Sequence, residues 1–360
     1  MTFDPKYNLT PRILKALSQI EIVRHDMGDL PVTATLISSL RESAKLSSIH
    51  YSTAIEGNLL SEIEVQKVIQ NQEYFPNRKK DEDEVKNYYK ALAYTESVAQ
   101  SNSPLREDHA RTLHGLSFLG RLTPNPYRDG QNVIRNGKLV VYIPPKAEDV
   151  PLLMKDLFAW ITQALDQNIP IPVIAGIAHY QFVTIHPYYD GNGRTARLLT
   201  TLILHKYGYD LKGIYSLEEY YAKNLQGYYD ALTVGDDEDY YEGHRSTADI
   251  TGFLEYFLQG MAKAFEAVCH KAKESGKPGI IDQSHKLRDL SPQMRQALKL
   301  FISSREISTR DIANYFQYSD RQARYLCKKW IEAGFLEIAN PADKGRTYRL
   351  AATYEALIQF

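Results

Sequence analysis

His186, Asp190, the turn Gly191-Asn192-Gly193, Arg194 and Arg197 fall within one short stretch, TIHPYYDGNGRTARLL, running from Thr184 to Leu199. These residue types in this order suit the chemistry of phosphate. Glycines flanking an asparagine let backbone N–H groups converge on an anion. A helix beginning at about Gly193 would add its own N-terminal N–H groups and dipole. Arg194 and Arg197 would share a face of that helix and offer two guanidinium forks to the outer phosphates of a nucleotide. Asp190 is a hard oxygen ligand suited to a Mg2+ that bridges phosphates. His186 is the neighbour whose ordinary pKa suits it to take a hydroxyl proton.

Taken singly, each residue has a plainer role: a turn, a turn-forming aspartate, a solvated arginine face. A calcium loop is excluded, because its first and twelfth ligand positions would be Tyr188 and Leu199, where acids belong. A Walker loop is excluded too, because no Gly-Lys-Ser/Thr follows. Together and in this order, the residues point to a nucleotide site with a base beside it.

The run HPYYDGNGRTAR closely resembles the signature of Fic-domain proteins, H-P-F-x-D/E-G-N-G-R-x-x-R, with Tyr188 at a packing position where the family usually has Phe. The resemblance extends through AHYQFVTIHP and upstream through YRDGQNVI, VYIPP and VPLLMKDL, and covers about residues 10 to 265. It implies a protein adenylyltransferase that moves AMP from ATP to a Ser, Thr or Tyr hydroxyl of a target protein or of itself. His186 would take the hydroxyl proton and Asp190 would hold Mg2+. Gly191, Asn192 and Gly193 would bind the inner phosphates, and Arg194 and Arg197 the outer ones. The hairpin from Gln131 to Ile143, with Gln131, Asn132, Val133 and Ile134 leading, matches the family's target-docking flap. Tyr228 and Tyr229 match aromatic positions near the adenine, and core packing is an equal alternative for that pair. UTP or GTP as donor stays open.

A second stretch, STAIEG, resembles the family's inhibitory sequence, S/T-x-x-x-E-G/N. Ser52 and Glu56 stand four apart, on one helix face, and Gly57 ends the helix. The resemblance implies that Glu56 pairs with Arg197 and blocks the outer phosphate. That makes basal activity low, and a homodimer is one assembly through which such a brake can be released.

The elements that must position these residues are mostly helical. PRILKALSQIEIVRHDM, VPLLMKDLFAWITQAL, IPVIAGIAHYQFVTIH and RTARLLTTLILHKYG carry apolar residues at three- and four-residue spacing, and Gly208 is placed to stop the last of them. NVIR and LVVYI flank Asn136-Gly137, a hairpin signal. Past Leu290 the pattern becomes three short helices and two strands, the order of a winged helix-turn-helix. Residues 291–350 hold eleven Lys and Arg against six Asp and Glu, in a chain whose formal net charge is −1. Arg321, Gln322, Arg324, Lys328 and Lys329 on the presumed recognition helix, with Lys344 and Arg346 at the wing, are candidate DNA contacts. Tyr325, Leu326, Trp330 and Phe335 are expected to pack that small core. Dimerisation or protein docking is an equal reading of the same module.

The expected fold class is therefore mainly α: a Fic-type helical core with a small β-hairpin flap, followed by a winged helix-turn-helix domain. The expected divisions are a helical region over 1–100 carrying the inhibitory motif, a catalytic core over 101–270, a linker over 271–289 and the winged helix over 290–360. The alternative function is a nucleotide-sensing, DNA-binding transcriptional regulator. Two separated cysteines, Cys269 and Cys327, make no disulfide framework or metal site. With no membrane-length apolar run and no signal peptide at MTFDPKYNLTPRIL, the expectation is a cytoplasmic protein with no membrane partner.

Overall fold

The computed structural model describes residues 3–29, 34–70, 74–235, 237–275, 290–340, 342, 346–355 and 358. The chain divides into two compact units, Met1–Asp29 with Arg41–Cys269, and Leu30–Leu40 with His270–Phe360. The N-terminal helices, expected as a region of their own, thus belong largely to the same unit as the central motif.

The first half of the chain forms α1 (Pro11–Asp29), α2 (Ala34–Ile55), α3 (Glu62–Ile69), α4 (Lys79–Gln100) and α5 (Glu107–Leu119). After the hairpin β1 (Ile134–Asn136) and β2 (Leu139–Tyr142) come α6 (Val150–Asp166), α7 (Ile171–Ile185) and α8 (Asn192–Lys206). They are followed by α9 (Glu218–Lys223), α10 (Leu225–Leu232) and α11 (Thr251–Ser275). α7 is apolar nearly all round and is buried along almost its whole length, as such a helix must be. It packs against α6 and α8, and α8 in turn packs against α4 and α5. The loop joining α7 to α8 carries the predicted chemistry, so both of its ends are anchored in the core.

Helix ends follow their residues. Gly208 adopts φ +86°, its N–H donates to His205 O at 3.4 Å, and Tyr209 N–H donates to Leu204 O at 2.8 Å. This closes α8 with a left-handed glycine cap. In the hairpin the turn residues are Gly137 and Lys138, one position later than the Asn136-Gly137 signal suggested, because Asn136 pairs with Leu139 in the ladder. The positive φ of +61° falls on Gly137, where glycine carries no steric cost.

The second unit contains α12 (Pro292–Ser303), β3 (Ile307–Ser308), α13 (Thr309–Phe316), α14 (Asp320–Glu332), β4 (Leu336–Asn340), β5 (Thr347–Leu350) and α15 (Ala352–Glu355). Its antiparallel sheet runs β3-β5-β4, and the two-residue β3 was not foreseen. Leu298, Phe301, Ala323, Leu326, Trp330, Phe335 and Leu350 form the core. Tyr325 does not join it, being 71% exposed. Ala323, Leu326, Cys327 and Trp330 take the inward stripe of α14, which leaves Tyr325 on the other side. The linker expected from 271 begins inside α11, which runs on to Ser275. Its remainder, and Lys344, lie outside the described residues.

Candidate active site

The site is assembled where α7 stops. His186 is the C-cap of that helix at φ +51°, a left-handed conformation that costs energy for any side chain but glycine. Its backbone N–H donates to Phe182 O at 3.1 Å, and Nδ1 lies 3.3 Å from Val183 O. Nδ1 therefore carries the proton and Nε2 keeps its lone pair. Burial pushes the imidazole pKa down to about 4, so the ring is neutral at neutral pH.

The loop between His186 and α8 is held by its own side chains. Asn192, 2% exposed, accepts from Tyr188 N–H at 3.0 Å and donates to Tyr188 O at 2.8 Å. Its side chain is thus a clip within the loop and is not free for phosphate. Only Gly191 of the triplet uses a positive φ, +77°, and it is the N-cap of α8, which starts at Asn192. Gly193 lies close under the Glu56 carboxylate, and a Cβ there would push Glu56 Oε1 aside. Asp190 accepts from Gly191 N–H at 2.5 Å with its carboxylate 60% exposed.

The two arginines differ. Arg194 is almost wholly buried, 3.5 Å from Glu84 and 3.7 Å from Asp190, with its guanidinium over the Phe118 ring at 5.5 Å. Its Nε and Nη1 make no hydrogen bond. A buried guanidinium left this incomplete is suited to an anionic ligand. Arg197 is held at Nε and Nη2. Its Nε donates to Ser52 Oγ at 2.7 Å, and its Nη2 donates to Ser52 O at 2.9 Å and to Glu56 Oε1 at 2.8 Å. Burial alone would lower the Arg197 pKa, but Glu56 together with Tyr228 and Tyr88 outweighs this and holds it above its ordinary value.

Ser52 lies within α2, whereas Glu56 sits in the turn just past its end. Gly57, at φ +93°, donates to Ala54 O at 3.0 Å, and Asn58 N–H donates to Thr53 O at 3.1 Å. This is a glycine-capped helix terminus. A carboxylate there opposes the helix dipole, and Arg197 compensates it by holding both Glu56 and a last-turn carbonyl.

Of the two tyrosines, Tyr228 belongs to the core. It is 2% exposed, its hydroxyl lies 2.8 Å from His179 Nε2, and its ring stacks on Tyr221 at 4.9 Å. Tyr229, 46% exposed, is the one a ligand can reach. In the flap, Gln131 donates to Pro144 O at 3.0 Å, while Asn132 reaches Tyr188 O and Tyr189 O at 3.4 and 3.3 Å. Val133 N–H is taken by Asn132 Oδ1, and Ile134 opens β1 opposite Tyr142.

A family model described as Fic/DOC family matches residues 104–204. Those residues are a Fic/DOC domain. Similarity extends beyond it. A protein adenylyltransferase Fic from Nematostella vectensis is 28% identical over 198 residues, 54% of this chain and 45% of that one. A protein adenylyltransferase Fic from Aedes aegypti is 24% identical over 276 residues, 74% and 52% of the two chains. The chain thus spans about half the length of the curated relatives it matches. A solved Fic family protein from Desulfovibrio desulfuricans G20 is 25% identical with a TM-score of 0.61, covering 97% of this chain and 99% of that one. A Fic domain containing signaling protein from Bacteroides thetaiotaomicron shares the fold at a TM-score of 0.61 and 24% identity, over 73% and 97% of the chains.

The Fic domain supplies His186, Asp190, Arg194 and Arg197, but Ser52, Glu56 and Glu84 come from helices before it. Sequence reading missed Glu84 and His114. Glu84 sits in the charged run KKDEDEV, which reads as a solvated face. His114 accepts from Asn125 Nδ2 at 3.0 Å and donates from Nε2 to Asp190 O at 2.9 Å, with its ring stacked on Tyr188 at 3.5 Å. His114, one of two histidines in α5, has no neighbouring residue pattern that signals such a role.

Acidification is expected to destabilise this unit. Burial holds His114 and His186 at about 4 and His179 at about 3, whereas unfolded they would protonate near 6.5. In that interval the unfolded chain binds more protons, so the stability is complete above about pH 6.5 and is lost as pH falls towards 4. A series of thermal melts checks it. A midpoint that rose on acidification would contradict the assignment.

Proposed function

We propose that the protein is an autoinhibited protein adenylyltransferase, moving AMP from ATP to a Ser, Thr or Tyr hydroxyl of a target protein or of itself. The observation that carries this reading is a neutral His186 with Nε2 free, set beside an anion cradle whose buried Arg194 faces Glu84 and Asp190 only at 3.5 and 3.7 Å, with Nε and Nη1 making no hydrogen bond. A nucleotide sensor needs the cradle but not the base. His186 takes the hydroxyl proton, the hydroxyl oxygen bonds to the α-phosphorus, and the α–β bridging oxygen leaves with pyrophosphate. The α8 N-terminus and Arg194 hold the phosphates.

Among the described residues no cluster of three or more potential metal ligands forms. That suits Mg2+, which is bound through one or two carboxylates together with substrate phosphates. Asp190, with its exposed carboxylate, is the residue that would hold it. The ion would neutralise phosphate charge. Glu56 acts as the brake by occupying Arg197, and the free edge of β1 offers backbone groups for strand addition by a target segment.

The test is incubation with α-labelled ATP and Mg2+ of three proteins: wild type, Glu56→Gly, and Glu56→Gly with His186→Ala. Label on protein in the second alone supports transfer, brake and base together. No label in any sample, with ATP still bound, argues for sensing or for UTP or GTP as donor.

The second unit is proposed to be a winged helix that binds DNA. A groove of about 960 Å³ gathers Arg310, Arg324, Lys328 and Arg346 beside Thr309, with Asp320 and Glu332 at its side. Arg321 does not line this groove. Gln322 is spent on capping its own helix, where it accepts from Ser319 N–H at 3.0 Å. Replacing Arg324 and Lys328 with alanine is expected to weaken binding to a mixed-sequence duplex. Its log–log salt slope is expected to shrink by about 1 for each phosphate that these side chains neutralise. Fluorescence anisotropy over a salt series measures both. Wild type without salt-dependent binding would assign this face to protein docking instead.

A further inference from the structure

Arg128 stands between α5 and the flap, in the stretch YRDG, and is 4% exposed. Its guanidinium meets three backbone carbonyls. Nε donates to His186 O at 2.9 Å, Nη1 to Gly130 O at 3.0 Å, and Nη2 to Pro145 O. Its own N–H donates to Pro187 O at 2.9 Å. Gly130 and Pro145 are the two roots of the hairpin, lying just before Gln131 and just after Pro144. His186 O is a carbonyl at the C-terminal end of α7, where a cation is favoured.

No carboxylate pairs with Arg128 among the described residues. Burying a guanidinium without a counter-charge is costly, and burial lowers its pKa. The carbonyls compensate through geometry. A planar fork with five N–H donors reaches three carbonyls set apart around its rim, whereas the three donors of an ammonium radiate from a single nitrogen. Further ties join the flap to this region, Tyr142 OH to Thr184 O at 2.6 Å and, more loosely, Asn132 to Tyr188 O at 3.4 Å, but neither holds the roots of the hairpin.

We propose that Arg128 is a positioning residue that locks both roots of the flap and the backbone of His186 into one frame, so that a strand laid on β1 presents its hydroxyl to Nε2. This rests on the adenylyl-transfer reading above. Arg128 touches neither the Asn192 clip nor the Arg194 cradle, so nucleotide binding is independent of it.

The test compares Arg128→Lys and Arg128→Met in the Glu56→Gly protein, reading amide hydrogen exchange, the Kd for ATP, and self-labelling from α-labelled ATP. Exchange over residues 130–143 and at His186 is expected to rise about 10-fold or more, with the rest of the unit unchanged. The Kd for ATP is expected to stay within about twofold, while labelling falls about 100-fold, the scale of an ångström-sized misplacement. Lysine is expected to restore little of it. Unchanged exchange in the flap, exchange raised throughout the unit, ATP affinity lost in parallel, or full labelling by Arg128→Lys would each overturn the proposal. If the Glu56→Gly parent itself does not label, the transfer reading fails, and exchange and ATP affinity still decide whether Arg128 sets the frame.

Discussion

Replacing Glu56 with glycine is expected to raise adenylyl transfer by roughly 10- to 100-fold. Two effects add. Arg197 Nη2 is released from its 2.8 Å bond to Oε1, and a negative charge leaves the space an outer phosphate needs. Charge-assisted hydrogen bonds are worth about 1.5–3 kcal/mol net, and each 1.36 kcal/mol is tenfold in rate. The Glu56 side chain is 24% exposed, so water screens part of the repulsion and the lower end of the range is the safer expectation. Ser52 still holds Arg197 through Oγ and its carbonyl, so the guanidinium remains placed for phosphate. Glu56→Gln, which keeps the shape without the charge, is expected to fall between. ATP should raise the melting temperature of Glu56→Gly more than that of wild type, because an anion replaces the missing carboxylate. The check is the labelling rate alongside ATP-dependent melting; a Glu56→Gly protein no faster than wild type would remove the brake from the account.

His186→Ala in that released protein is expected to reduce transfer by about 10²–10⁴-fold, the usual worth of a positioned base. ATP binding is expected to persist. Among the described residues the imidazole is tied only to Val183 O, and the loop around it is clipped by Asn192 and His114. Alanine keeps the Cβ, so the left-handed backbone at this position stays equally strained and the loop keeps its shape. Single-turnover labelling and the Kd for ATP together make the measurement. With the histidine pKa at about 4, the released enzyme should also show no acid limb near 6.5, because the ring is already neutral there. Activity surviving in His186→Ala would place the base elsewhere.

Helix positions were legible wherever apolar spacing was strong: α1, α6, α7 and α8 lie within a residue or two of the runs that foretold them. The hairpin was legible from its turn residues, though the ladder moved the turn one step to Gly137-Lys138. Tyr325 and Tyr228 were not placeable from sequence, because an aromatic at helical spacing fits either a core or a surface until neighbouring elements are known. Asn192 looked like a phosphate ligand and is a clip, since its partner is a backbone unit four residues back.

The sequence by itself determined what kind of chemistry this protein can host. The order of His186, Asp190, the glycine turn and the arginines is local, and local spacing sets which groups share a loop and a helix end. Only the tertiary structure decided the state of those groups. Glu56 reaches Arg197 across 141 positions of chain, His114 reaches Asp190 O across 76, and Arg128 reaches His186 O across 58. Such contacts depend on how α2, α4, α5 and α8 pack, and packing is a property of the whole unit that no short window of residues contains.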